Sequence, residues 1–229
     1  MKNEIDICYL CGQKLSGDVD DDHVPPKQFY PRSIRKIHDL NLFTLPTHES
    51  CNKSYQKDED YFVHSIAPLA KGSYSGNAIW GDISNQLKRP QGKRIAQMIL
   101  KEFDPRPSGL YLPHGKVVKR FSGQRIWRVV WKITRGLFFK EKEQFLPETT
   151  PKLFKNISVD EKPPPQFAWV LGTPSKGQYP GVFDYKYADI PELDNFHIWA
   201  MLFWDRLIKF VAFHDPECPC DECKDHMNG

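Results

Sequence analysis

The chain has 229 residues, of which 40% are hydrophobic, 13% aromatic and 27% charged. That is enough for one large domain or two small ones, and the composition excludes a disordered or collagen-like chain. The formal net charge of +3 is by itself too mild to indicate nucleic acid or an anionic membrane as partner. The longest uninterrupted apolar run, Ile198 to Trp204, is seven residues, far short of a membrane span. The opening Met-Lys-Asn-Glu-Ile-Asp-Ile-Cys does not resemble a signal peptide, so a cytoplasmic protein with no membrane partner is expected.

The small total conceals a segregation. Residues 88–142 carry 15 Lys+Arg against 3 Asp+Glu, whereas residues 1–70 carry 8 against 11 and residues 143–229 carry 8 against 14. In the basic stretch the cations are interleaved with Phe121, Trp127, Trp131, Phe138 and Phe139. Such a mixture can lie along a phosphate backbone, and a solvated amphipathic helix has the same composition.

In chain order, residues 1–60 are rich in Cys, His, Asp and Pro and lack regular periodicity, as expected of a loop-rich unit held by a metal. Gly, Ser and Asn dot the stretch that follows, and residues 66–91 are expected to connect. From Gly92 to Phe103, Ile95, Met98, Ile99 and Phe103 recur at helical spacing, with Pro105 and Pro107 as a stop. A second helix is expected over Gln124 to Lys140. Ile126, Val129, Val130, Ile133 and Leu137 lie on one face, with Arg125, Arg128, Lys132 and Arg135 largely off it.

Beyond Pro163-Pro164-Pro165 the texture becomes β, with strands expected over Phe167–Leu171 and Val182–Tyr187 and a turn at Gly177, Pro180 and Gly181. Phe196–Trp204 and Leu207–Phe213 flank Asp205-Arg206 as a hairpin, with a continuous helix as the competing reading. The expected fold class is α+β. A small zinc-stabilised module (1–65) and a connector (66–91) precede an α+β domain with two helices and a mostly antiparallel sheet (92–214), then a Cys-rich tail (215–229).

The six cysteines form two groups, Cys8, Cys11 and Cys51, and Cys218, Cys220 and Cys223. Close pairs with histidines nearby indicate thiolate ligands in a reducing compartment rather than a secreted disulfide scaffold. Cys8-x-x-Cys11 and His48-x-x-Cys51 together supply four soft ligands, which fill a tetrahedral Zn²⁺ and leave no open position, so the zinc is structural. His214, Cys218, Cys220 and Cys223 could hold a second zinc or belong to an unpinned tail.

Between the two knuckles stand Asp20-Asp21-Asp22-His23-Val24-Pro25-Pro26 and Asn41-Leu42, and the second knuckle runs into Cys51-Asn52-Lys53-Ser54. Over residues 6–62 this order resembles the HNH, or ββα-metal, nuclease family. The resemblance implies His23 as general base, Asp22 and Asn52 as ligands of a catalytic Mg²⁺ or Mn²⁺, and Asn41 as the residue that braces the loop and orients His23. It implies Cys8, Cys11, His48 and Cys51 as zinc ligands. His48 stands where many members have Cys, and Asn52 stands where the third letter of the motif has His, making an H-N-N variant.

The chemistry can be argued beside the resemblance. Phosphodiester hydrolysis needs a base for water and a cation for the charge that builds on phosphate, and a neutral imidazole serves as base at physiological pH. Neighbours on a strand point to opposite faces, so Asp22 and His23 address the site from different sides. Asp20, Asp21 and Asp22 also fit a solvated acidic loop, and Asp58, Glu59 and Asp60, on the expected final helix, could assist the metal but read by default as surface charge. Lys132-Ile133-Thr134-Arg135-Gly136-Leu137 also resembles a segment found in domains that follow HNH modules. Arg128, Lys132 and Arg135 are the candidate nucleic-acid contacts, with Lys132 and Arg135 touching either phosphate or the zinc module. The expected activity is metal-dependent cleavage of DNA, with RNA open as substrate and a homodimer or partner protein compatible with it. A non-cleaving zinc-dependent nucleic-acid-binding module is the alternative, followed by a zinc domain for protein contacts.

Overall fold

The computed structural model describes residues 6–38, 40–104, 113, 118–158, 160–190, 196–215 and 218. Strand β1 (Val19–His23) pairs antiparallel with β2 (Thr44–His48), with Asp22 opposite Leu45 and His23 opposite Thr44. A short 3-10 turn (Lys27–Phe29) and helix α1 (Arg32–His38) fill the connection. β2 runs directly into α2 (Glu49–Lys53), followed by α3 (Gln56–Ile66), α4 (Tyr74–Leu87) and α5 (Lys93–Leu100). A two-residue pair, β3 (Phe103–Asp104) with β4 (Val118–Lys119), precedes the long helix α6 (Gly123–Lys142). The remaining elements are β5 (Lys152–Ser158), α7 (Pro165–Leu171), β6 (Phe183–Asp189), β7 (Phe196–Phe203) and β8 (Leu207–His214). The last four strands form one antiparallel sheet in the order β5-β8-β7-β6. The fold is α+β, and no helix among the described residues is long and apolar enough to cross a membrane.

The hairpin expected around Asp205-Arg206 is β7–β8. Trp204 and Asp205 both take positive φ, 50° and 56°, which matches the twist that a tight turn between two strands requires. Alternate residues of β7 serve two cores. Trp199, Met201 and Phe203 face the main core, and Ile198 and Ala200 face a smaller one under α7.

Two expectations are corrected. Phe167–Leu171 lies in α7, not in a strand. Phe167 and Val170 are buried while Trp169 is 56% and Leu171 38% exposed, a spacing of three that a helix satisfies, whereas a strand would bury Phe167, Trp169 and Leu171 together. The connector 66–91 contains α4, a helix of 14 residues capped by Ser73, whose side chain accepts from the Gly76 amide. Gly76 reads as a linker residue but is dictated by packing, because a Cβ there would lie 1.9 Å from the Ala70 carbonyl oxygen.

One apolar core runs from Cys8 to Phe213 through both the N-terminal segment and the sheet. Phe29 stacks on Phe62 at 5.0 Å between centroids, and both rings meet Phe203 and Trp204 of the hairpin. Burying each such ring contributes about 1.5–3 kcal/mol. Ile126, Val129, Val130, Ile133 and Leu137 of α6 are all buried, as their periodicity predicts. From Val129 to Phe139, however, the helix is buried on every side, including Lys132 and Arg135 at 1% exposure each.

Candidate functional site

Cys8 and Cys11 lie on a turn that closes when the Gly12 amide donates to the Cys8 carbonyl (2.8 Å) and the Cys8 amide to the Gln13 carbonyl (2.9 Å). Gly12 sits at φ 74° with no room for a Cβ, since Phe145 packs 2.8 Å from that point. His48 ends β2, and Cys51 falls one turn later on α2, so strand and helix deliver the second pair. The four ligand atoms lie within 4.8 Å of one another. His48 Nδ1 is 3.4 Å from Cys11 Sγ and 4.0 Å from Cys51 Sγ. His48 Nε2 is 3.2 Å from the Lys14 carbonyl, an acceptor, so Nε2 carries the proton and the Nδ1 lone pair faces the thiols.

The chemistry of these donors fits a metal ion such as Zn²⁺. Burial opposes ionisation of Cys8, yet backbone N–H groups of His48, Leu10 and Cys11 outweigh it and lower its pKa. Cys51 is pushed up to about 12, by burial first and then by the charge of Cys8 and Cys11. Thiolates crowded this closely repel one another unless a cation sits among them. A Zn²⁺ ion would provide that cation, and with four protein ligands its site would be closed and structural.

Asp22, His23, Asn41 and Asn52 are placed differently from one another. On β1, Asp22 points inward at 4% exposure and His23 is half-buried on the other side, as strand alternation requires. Burial, and then the nearby Lys27, lower the His23 pKa below its ordinary value of 6.5, which keeps the imidazole in its neutral, proton-accepting form at neutral pH. Among the described residues no hydrogen bond joins Asn41 to His23. The Asn41 main-chain amide instead donates to the Tyr179 hydroxyl at 3.1 Å, so the bracing role expected of Asn41 is not what its bonding serves.

Asp22 Oδ2 accepts from Tyr9 Oη at 2.6 Å. Lys132 Nζ lies 2.9 Å from Asp22 Oδ1 and 2.8 Å from Oδ2, 2.5 Å from Glu59 Oε1 and 3.4 Å from Asn52 Oδ1. The other end of the Asn52 amide donates to Asp20 Oδ2 at 2.9 Å. Burial raises the Glu59 pKa, and Lys132 pulls against it. Burial also raises the pKa of Tyr9 well above its ordinary value, with Asp22 adding to the shift, so the phenol remains a donor. The oxygens expected to hold Mg²⁺ or Mn²⁺ therefore face an ammonium group. A divalent cation of that kind demands about six oxygens at roughly 2.0–2.1 Å and keeps several waters. The cluster as built, around a lysine 1% exposed, does not fit one.

Of the two partners expected of Lys132 and Arg135, phosphate or the zinc module, both residues meet the N-terminal module and neither is left free for nucleic acid. Lys132 meets residues of the N-terminal segment, and buried Arg135 donates to the Leu10 carbonyl, to the Leu146 carbonyl at 2.7 Å and to the Tyr55 hydroxyl at 3.4 Å. Arg125 and Arg128 both pair with Asp58 at 2.6 Å. Most of the α6 cations are thus neutralised inside the chain. The exposed basic residues stand elsewhere, on and beside α5: Lys88, Arg89, Lys93, Arg94 and Lys101, none of which forms an ion pair among the described residues.

Sequence reasoning missed Tyr9 as a member of the cluster and offered Glu59 a part in it only as an alternative to surface charge. Their signal was weak, a tyrosine between two cysteines and one carboxylate in an acidic run. Of the second candidate zinc set, His214 Nδ1 is 3.2 Å from Cys218 Sγ, and Cys220 and Cys223 lie outside the described residues. No protein family's profile, no curated protein and no solved structure matches the chain.

Proposed function

We propose that this chain is a nucleic-acid phosphodiester hydrolase of the HNH type, acting on DNA, with His23 as the base that activates water. The observation that carries this reading is the placement of His23 at the end of β1. The β1–β2 pair passes into α2 at its Val19–His48 end, where the Cys8, Cys11, His48 and Cys51 donors gather, and a neutral half-buried imidazole stands at the opposite end, across from Thr44. A strand pair, a helix and a metal clamp together fix the base on rigid elements, which a general base needs and a purely structural zinc unit does not. The exposed cations around α5 supply a surface for the phosphate backbone.

Incubating plasmid DNA with the purified protein, with and without Mg²⁺ or Mn²⁺, beside a His23→Ala variant, tests the reading. Nicking that the variant loses supports it. Equal nicking by both proteins, or none by either on DNA and RNA substrates, removes it. One observation favours a second reading, a zinc-dependent module that binds nucleic acid without cutting. Asp22 and Asn52 are occupied by Lys132, and binding alone requires no open cation site.

A further inference from the structure

We infer that the ammonium group of Lys132 is a built-in cation that takes the place of a divalent metal in the Asp22–Glu59–Asn52 cluster and keeps such a metal out. The inference rests on the reading above for the idea that a cation belongs at this position, and on the geometry for which cation it is.

The argument begins with valence. An ammonium has three N–H donors and no acceptor, and Lys132 Nζ has three oxygen-bearing partners, Asp22, Glu59 and Asn52. The three partners come from three elements, β1, α3 and α2, and the lysine from a fourth, α6. None is a sequence neighbour of Lys132, so the convergence is a property of the fold rather than of a local turn. The centre of the group is buried, with the lysine 1% exposed, Asp22 4% and Glu59 7%, and Asn52 is half-buried at its edge. A buried charge without a partner costs several kcal/mol, and two buried carboxylates without a cation cost more. Lys132 therefore does for this cluster what a metal would do, holding two carboxylates and an amide oxygen around one positive centre.

Charge is the second part. Asp22 and Glu59 with Lys132 leave the cluster with one net negative charge, and the Tyr9 hydroxyl and Gln28 amide donate to the remaining lone pairs. A divalent ion entering beside the ammonium would face it at hydrogen-bond distance with no intervening solvent, and like charges that close in a dry site repel strongly. The two cations are mutually exclusive.

The test is Mn²⁺ binding to zinc-loaded protein, followed by electron paramagnetic resonance, in wild type, D22N, K132M and the double variant K132M/E59Q. The double variant removes one positive and one negative charge and so keeps the net charge of the cluster, which guards against a fold lost to uncompensated carboxylates. The expected result is no Asp22-dependent Mn²⁺ binding in wild type and at least a tenfold gain in affinity in K132M or K132M/E59Q, abolished when D22N is added. Wild-type protein that binds a Mn²⁺ ion which D22N removes would overturn the inference. So would a folded lysine-free variant with no gain, because nothing would then have been displaced. The readout is binding and not cleavage, so a failure here leaves the role of His23 standing, and a protein that does not cut leaves this inference untouched.

Discussion

Arg135, deep in α6, donates to the main-chain carbonyl of Leu10, which lies between the two cysteines of the first knuckle. The turn that carries Cys8 and Cys11 is thus held from behind by a helix more than 120 residues away in sequence. The same guanidinium reaches the Leu146 carbonyl and the Tyr55 hydroxyl, using its fork of donors where a lysine would offer one point.

Replacing Arg135 by Met is expected to cost about 3–5 kcal/mol, since buried carbonyls lose a charged donor. Arg135→Lys should restore little of it. Urea denaturation of the three proteins, compared at equal zinc content, measures both effects.

Gly136→Ala is a sharper probe of the same contact. In an isolated helix the change favours stability by about 1 kcal/mol. Here the new Cβ would lie 2.7 Å from Val24 Cγ2 and 3.2 Å from Tyr9 Cε2, and overpacking of this kind costs about 1–3 kcal/mol. We expect net destabilisation by about 1–2 kcal/mol. A double-mutant cycle with Val24→Ala should recover part of that loss, and a cycle with no coupling would show that the helix does not press on the strand end here.

Cys51→Ser and His48→Ala should each lose the bound zinc by native mass spectrometry, whereas His48→Cys should keep it, because a thiolate replaces the imidazole within the same ligand set. The metal ties the residues around Cys8 to the start of α2, so loss of zinc should lower thermal stability by several degrees or unfold the N-terminal segment outright.

Lys209 supplies a pH-dependent prediction. It is buried at 7% exposure on β8, opposite Asn156, and burial lowers its pKa to about 8 from 10.5. The unfolded chain therefore holds more protons than the folded one between about pH 8 and 10.5, so this group makes stability rise with pH across that window. Below pH 8 its buried charge is a penalty of up to about 3 kcal/mol. Lys209→Met should be more stable than wild type at pH 7, and the advantage should shrink towards pH 10. Thermal melts at matched ionic strength read the difference.

The sequence made legible those features whose signal is local. Cys8, Cys11, His48 and Cys51 announce themselves by spacing, the β7–β8 hairpin by two apolar runs around Asp205-Arg206, and α6 by its period. What stayed hidden depends on partners far along the chain. Lys132 and Arg135 could be set against phosphate or the zinc module but not matched to a residue, and Gly136 had no role, because their partners, Asp22, Leu10 and Val24, belong to a different part of the fold. The basic excess of residues 88–142 read as a solvated face or a polyanion contact, with charge content alone favouring the first. Most of the cations on α6 belong to neither, since Arg125 and Arg128 meet Asp58 and Lys132 meets Asp22 and Glu59. A charge count along one dimension records surplus but not where the opposite surplus folds to. Gly76 misled for a related reason, since close approach to Ala70 looks the same in sequence as flexibility.

The apolar cluster that joins Phe29 and Phe62 to Phe203 and Trp204 also determines how this protein could be cut or recombined. A fragment ending near residue 65 would carry Cys8, Cys11, Cys51, His23 and Asn52, yet would open its aromatic floor to water and leave Asp22 and Glu59 without Lys132. The motif-bearing stretch is therefore not portable. Grafted or expressed alone it should collapse or aggregate, and any shuffling that preserves it must carry α6 and the hairpin along as one inherited piece.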